Sequence, residues 1–284
     1  MIIKKELIEI AQAKGVKTKT IDKDWILGHF LNAMFCFEEV RQNFVFKGGT
    51  CLRKCYIEDY RFSEDLDFTL LDEAFVIDAR FISTIIKRAE ETSGARFYFE
   101  KQKLQKSNDI EQGYEITVKF WGADHKKHQE PTPTARWQTS IKLDISFSEK
   151  LLTPIAYKKI FHNFSDKNKI NQVVPVYSLN EIIGEKLRSL IQRNRPRDIY
   201  DIWTLSNYFS EEQYPTIKTL LYEKSKDKGL IITGIEDFVD PKKGRKNKRA
   251  WHSSLADHLP ENKLPDFDEV YELIKDFIEK ILNS

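Results

Sequence analysis

The chain has 284 residues, of which 40% are hydrophobic and 32% are Asp, Glu, Lys or Arg, with a net charge of +2. That hydrophobic share supports an ordinary buried core and excludes a disordered chain. No stretch approaches the ~20 apolar residues of a membrane helix, and the start lacks a signal-peptide core. Three cysteines (Cys36, Cys51, Cys55), odd in number and without C-x-x-C spacing, argue against a secreted disulfide scaffold and predict a cytoplasmic protein. A charge near zero leaves nucleic acid open as a partner, provided the basic surface is local.

Residues 1–45 read as helical. Leu7, Ile8 and Ile10 begin one apolar face, and Trp25, Ile26, Leu27, Phe30, Leu31, Met34 and Phe35 predict a second helix over about 22–41. Phe44-Val45-Phe46 is a short strand, stopped by Gly48-Gly49, and a short helix follows over 50–56. Asp65-Leu66-Asp67-Phe68-Thr69-Leu70 alternates as a two-faced strand does. Residues 78–92 return to helical spacing, with Asp78 as N-cap and Gly94 after the end. Phe97-Tyr98-Phe99, the alternation Tyr114, Ile116, Val118, Phe120, and that of Ile141, Leu143, Ile145, Phe147 predict strands. The polar, proline-bearing stretch 124–133 reads as a loop, and Val173–Val176 as a last strand. Helices are then expected over 179–192, 198–208, 214–224 and 266–282. The expected architecture is an α/β (α+β) domain over 1–177 followed by a helical bundle domain over 178–284.

The chemistry concentrates in aspartates. On a strand, Asp65 and Asp67 leave the same face, and two adjacent ionised carboxylates repel unless a cation sits between them. Mg²⁺ suits such a pair, because it takes hard oxygen ligands and retains room for substrate phosphates. Asp144, on another alternating strand, is the candidate third carboxylate. The plain alternative is a strand with a solvated acidic face. Upstream, strand–Lys47-Gly48-Gly49-Thr50–helix suits anion binding: glycines admit a phosphate to the backbone, helix-start N–H groups point at it, and Thr50 adds a hydroxyl. It is neither a Walker A loop nor a G-x-G-x-x-G fingerprint. A phosphate cradle beside a carboxylate pair provides for triphosphate binding, metal binding and nucleophile activation in one site.

At these residues the run KGGTCLRKCYIEDYRFSEDLDFTLL, Lys47 to Leu71, resembles the signature of the AbiEii/AbiGii nucleotidyltransferase toxins, members of the polymerase-β-like superfamily. A second block, Asn180 to Arg188 followed by Arg195-Pro196-Arg197-Asp198-Ile199-Tyr200-Asp201-Ile202, resembles the family's later E-K-L and R-D-h-Y-D motifs. The resemblance implies a polymerase-β-like nucleotidyltransferase domain with a mixed sheet. It implies Mg²⁺ (or Mn²⁺) on Asp65, Asp67 and Asp144, a triphosphate on Gly48, Gly49 and Thr50, and nucleotide contact and catalysis at Lys186 and Asp198. It further implies a toxin that moves an NMP from an NTP to RNA, tRNA among the acceptors, with a separately encoded antitoxin as partner. Alternatives are a silent nucleotide- or RNA-binding protein on the same scaffold, and a small-molecule nucleotidyltransferase of the antibiotic-modifying kind.

Other residues carry two readings each. Arg53 and Lys54 either reach phosphates or sit on a helix surface. Lys186 and Arg188 share a helix with Ile182, Ile183, Leu187 and Leu190, so a basic side can complement a triphosphate. Arg193, Arg195 and Arg197 either strengthen that field or form a solvated turn, and Asp198 and Asp201 either act or pin two helices by ion pairs. Lys242 to Arg249 holds six cations in eight positions, with Trp251 and His252 after it. It reads as a solvated loop or as a phosphate-tracking one with an aromatic to stack on a base. His125 and His128 read as exposed rather than metal-bound, and Cys51 and Cys55 as small apolar packers.

Overall fold

The computed structural model describes residues 2–107, 110–125 and 129–284. The chain divides into two compact units. Unit 1 comprises residues 1–149 and 155–176, and unit 2 comprises 150–154 and 177–284. Among the described residues, no helix is long and apolar enough to cross a membrane.

Unit 1 opens with α1 (Lys4–Lys14), α2 (Thr18–Met34) and α3 (Glu38–Asn43). The expected single helix over 22–41 is thus two, broken at residues 35–37. Most of α2 is buried, polar residues Asp22, Asp24, His29 and Asn32 included, which explains the unclear apolar period of its sequence. Strand β1 (Phe44–Lys47) runs into α4 (Gly48–Cys51), which continues as a wider turn of helix through Tyr56. Then come β2 (Asp65–Leu70), α5 (Ala79–Ser93), β3 (Arg96–Ser107), β4 (Ile110–Trp121), β5 (Ser140–Ser146), β6 (Ala156–Lys159) and β7 (Val173–Val176). The Asp78 carboxylate accepts the Phe81 N–H and Gly94 closes α5 in the left-handed region, as the spacing predicts. The sequence pattern missed β6, whose Ala-Tyr-Lys-Lys has no apolar alternation and pairs on one side with β7.

The seven strands form one mixed sheet in the order β3-β4-β5-β2-β1-β7-β6. β5 pairs parallel to β2, and β7 parallel to β1; the other pairs are antiparallel. One face is apolar: Phe46, Leu66, Phe68, Ile116, Val118, Phe120, Ile141, Leu143 and Ile145 are all fully buried. Helices α2 and α5 contribute to this core, where Phe30 meets Phe97 at 5.7 Å, Phe35 meets Phe68 at 6.2 Å and Phe81 stacks on Phe44 at 6.0 Å between ring centroids. The opposite face carries the charges.

Unit 2 contains α6 (Leu179–Arg193), α7 (Pro196–Ser206), α8 (Tyr214–Asp227), α9 (Pro241–Leu255) and α10 (Phe267–Asn283). Helix α9 corrects an expectation: Lys242 to Arg249 is not a loop. Asp240 caps it by accepting the Lys242 and Lys243 N–H groups, and Gly244, Asn247, Trp251 and Leu255 form its buried side. The segment 150–154 belongs here through Glu181, which is fully buried, accepts the Leu152 N–H and pairs with Lys224 at 2.5 Å.

Candidate active site

Strand register places the acids. Asp67 lies opposite Asp144 across the parallel β2–β5 pair, and Asp65 lies two residues away on the same face. The row extends in both directions: Lys47 on β1 opposes Asp67, Glu115 on β4 opposes Asp144, and Lys103 on β3 opposes Glu115. Charges of both signs therefore cross five strands in the order Lys103, Glu115, Asp144, Asp67, Lys47. Asp65, Asp67 and Asp144 are all half-buried.

The glycine turn abuts this row. Gly48 has φ +78°, and a Cβ there would lie 2.1 Å from Asp67 Oδ2, so only glycine lets the carboxylate pack against the backbone. A Cβ on Gly49 would lie 3.0 Å from both Arg61 Nη2 and Ser63 Oγ, so these two residues cover the turn from the other side. Thr50 differs from expectation. It is fully buried, and its hydroxyl donates to the Asp65 carbonyl at 2.5 Å, tying the turn to β2 instead of reaching outward. Lys47 is buried and paired with Glu149.

Asp144 carries the clearest electrostatic signature. Burial raises its carboxyl above the usual range; Lys47 and a hydrogen bond from Gln105 oppose this, and Glu115 and Asp65 add to it. A site of hard oxygens, too crowded with negative charge for comfortable ionisation, fits a divalent cation. Glu115, Gln105 and Glu149 are the neighbours that sequence reading missed. Glu115 had a signal, since it holds a polar position of the β4 alternation.

Two expected phosphate contacts are placed elsewhere. Arg53 is buried, donates to Asp24 at 2.7 Å and to the Tyr60 carbonyl at 2.5 Å, and stacks 3.7 Å over the Phe62 ring. Lys54 pairs with the other Asp24 oxygen at 2.9 Å. Burial alone would raise Asp24, but these two cations hold it well below the usual carboxylate range. Both cations are thus bound to a core acid. Cys51 and Cys55 are buried, and burial with the Cys55 contact pushes the Cys51 thiol up, consistent with packing rather than reactivity. His125 stacks on Trp121 at 3.4 Å, and His128 lies outside the described residues.

A buried cluster that no local pattern announces joins α2 to the β6–β7 connection. His29 Nε2 and His162 Nε2 sit 3.0 and 3.2 Å from the two oxygens of Asp166, and Trp25 Nε1 donates to the same carboxylate. The donor atoms of His29, His162 and Asp166 lie within 4.8 Å of one another, but each imidazole nitrogen nearest the acid already serves it. The two Nδ1 atoms are buried without a hydrogen-bond partner. The cluster reads as a hydrogen-bonded pin. Burial holds His162 down at about 4, outweighing Asp166. The unfolded histidine titrates near ~6.5, so acid favours the unfolded chain. The stabilisation is full above that pH and is lost as pH falls toward 4. Urea unfolding should show the advantage of the wild type over His162→Asn shrinking by up to about 3 kcal/mol between pH 7 and pH 4.

In unit 2, Lys186 pairs with Asp201 at 2.7 Å and lies 3.7 Å from Asp198, which Arg193 grips with two hydrogen bonds of 2.8 Å. The second sequence block thus forms an ion-pair network joining α6 to α7. Arg188 donates to Gln192 at 2.6 Å. Trp251 is buried, with Nε1 donating to the Pro265 carbonyl, and so is not a platform for a base.

The mixed sheet thus sets three aspartates on one face beside a glycine turn. A family profile described as "Nucleotidyl transferase AbiEii toxin, Type IV TA system" matches residues 29–273, and the chain belongs to this family of nucleotidyltransferase toxins. Membership brings with it an NTP substrate and an antitoxin. Among solved structures, the chain is similar to MenT4, a nucleotidyltransferase toxin from Mycobacterium tuberculosis H37Rv (TM-score 0.67, 16% identity, covering 100% of this chain and 91% of that one). It is also similar to JHP933 from Helicobacter pylori (TM-score 0.56, 18% identity, covering 94% and 95%). Those likenesses are of fold. No curated protein sequence matches.

Proposed function

We propose that the chain transfers an NMP from an NTP to RNA and that Asp65, Asp67 and Asp144 hold the Mg²⁺ (or Mn²⁺) this requires. The observation that carries the reading is the packing of Asp67 directly on Gly48, with Asp144 in register beside it. That arrangement brings a cation site and a backbone anion site together. The metal would neutralise charge on the phosphates and polarise the reacting phosphorus. The acceptor hydroxyl forms the new bond to the α-phosphorus, the bond to the bridging oxygen breaks, and pyrophosphate leaves. Asp144, raised by burial and by its acidic neighbours, is the carboxylate best suited to take the hydroxyl proton. Gly48, half-buried against Asp67, would bring backbone to the triphosphate, with Gly49 behind it under Arg61 and Ser63. Lys47, held by Glu149, places one positive charge at the edge of the row. The resemblance also gives Lys186 and Asp198 a part in catalysis, and Arg53, Lys186 and Arg188 one in nucleotide binding. Arg53, Lys186 and Asp198 are engaged in ion pairs, so the reading rests first on unit 1.

The test is transfer of label from each α-³²P-NTP, with Mg²⁺, into total cellular RNA. RNA labelled by one preferred NTP is expected. Label confined to a small-mass product would select the antibiotic-modifying alternative, and no label in any product would overturn the proposal.

A further inference from the structure

Helix α9 carries six cations, and four of them lack an ion pair among the described residues. Of its six, Lys243 donates to the Asp237 carbonyl at 2.6 Å and Lys248 pairs with Asp268. Among the described residues, Lys242, Arg245, Lys246 and Arg249 make no ion pair or side-chain hydrogen bond, and all four are exposed. Their spacing of three, four and seven residues puts them on one stripe that rises about 10 Å along the helix.

The stripe works against the helix that bears it. Like charges three and four residues apart on a helix repel. Lys242 stands in the first turn, where the helix dipole disfavours a cation. Meanwhile the opposite side is fixed: Gly244 lies against the Tyr271 ring, Asn247 bonds the Lys243 carbonyl at 3.1 Å, and Trp251 packs 5.3 Å from Phe267. The cations are therefore displayed from a rigid, capped helix.

We propose that this stripe of α9 docks the phosphate backbone of RNA. An acidic protein is the competing occupant, and the composition of the face decides between them. Protein interfaces are built around an apolar or aromatic centre with charges at the rim. No apolar side chain lies between the four cations on the exposed side of the helix, because Gly244 and Asn247 turn inward. Phosphate contacts need only regularly spaced charge. The inference rests on the reading of RNA as the acceptor, which it deepens by naming where unit 2 holds it.

The test uses the full chain with Lys242, Arg245, Lys246 and Arg249 all changed to Gln, an exposed set whose loss should leave NTP–Mg²⁺ binding unchanged and the thermal midpoint level or higher. Affinity for an RNA stem-loop is measured against salt concentration. The variant should bind at least about tenfold more weakly, and the slope of log K against log salt should fall by about three to four, roughly one per lost phosphate contact. Lys248→Gln, whose cation is already paired, should change neither. Lys242→Arg with Lys246→Arg should retain binding. An unchanged slope in the quadruple variant, with RNA still bound by the wild type, would overturn the inference. So would unchanged RNA binding combined with lost binding of the antitoxin. Wild-type RNA binding through α9 without label transfer would instead sink the acceptor reading and leave the docking face standing.

Discussion

Asp67→Asn should lower nucleotidyl transfer by at least about a thousandfold and abolish growth inhibition, with the fold intact. The carboxylate sits at the centre of the charged row, between Lys47 and Asp144, and against the glycine turn. An amide keeps the shape but gives up the charge that would hold a divalent ion, and charge stabilisation by such an ion is worth several kcal/mol, each ~1.4 kcal/mol being tenfold in rate. Removing one of several mutually repelling acids should leave the thermal midpoint level or slightly higher, which separates a chemical loss from a structural one. Asp65→Ala should behave alike. Glu115→Gln, which reaches the chemistry only through Asp144, should cost about tenfold or less and shift the acid limb of the pH–rate profile to lower pH, because its charge helps raise Asp144. Wild-type turnover in Asp67→Asn would remove the assignment.

Gly48→Ala is the second large effect. At φ +78° an alanine is strained, and its methyl would fall 2.1 Å from Asp67 Oδ2, so either the carboxylate or the turn must move. Stability should fall by about 1–2 kcal/mol. Transfer should fall by about a hundredfold or more, because a displacement of about an ångström in a catalytic group has that consequence. Gly49→Ala is the graded comparison. Its methyl would meet Arg61 Nη2 and Ser63 Oγ at 3.0 Å, side-chain ends that can yield, so the loss should be smaller. Equal activity in wild type and Gly48→Ala would mean that the Asp67–turn contact has no part in the reaction.

The acids were legible because strand alternation is a local signal: Asp65 and Asp67 had to share a face whatever their neighbours. Which strands stood beside β2 was not legible, since Asp144 comes 77 positions after Asp67 and its register depends on pairing that no spacing encodes. Arg53 and Lys54 looked like surface cations because Asp24, the acid that buries them, lies on another helix. The pin at Asp166 escaped for the same reason, its two nearest donors on α2 being over 130 residues away. Helix α9 was obscured by composition: its inward side begins with Gly244 and Asn247, so the apolar stripe that marks a helix appears only at Trp251 and Leu255.

The insertion of β5 between β2 and β4 has a consequence for synthesis of the chain on the ribosome. A nascent segment ending before residue 140 has the glycine turn and two of the acids but not the third. The parallel β2–β5 seam closes a long loop, a slow kind of pairing. The three acids therefore come together only once the β3–β4–β5 meander has docked against β2.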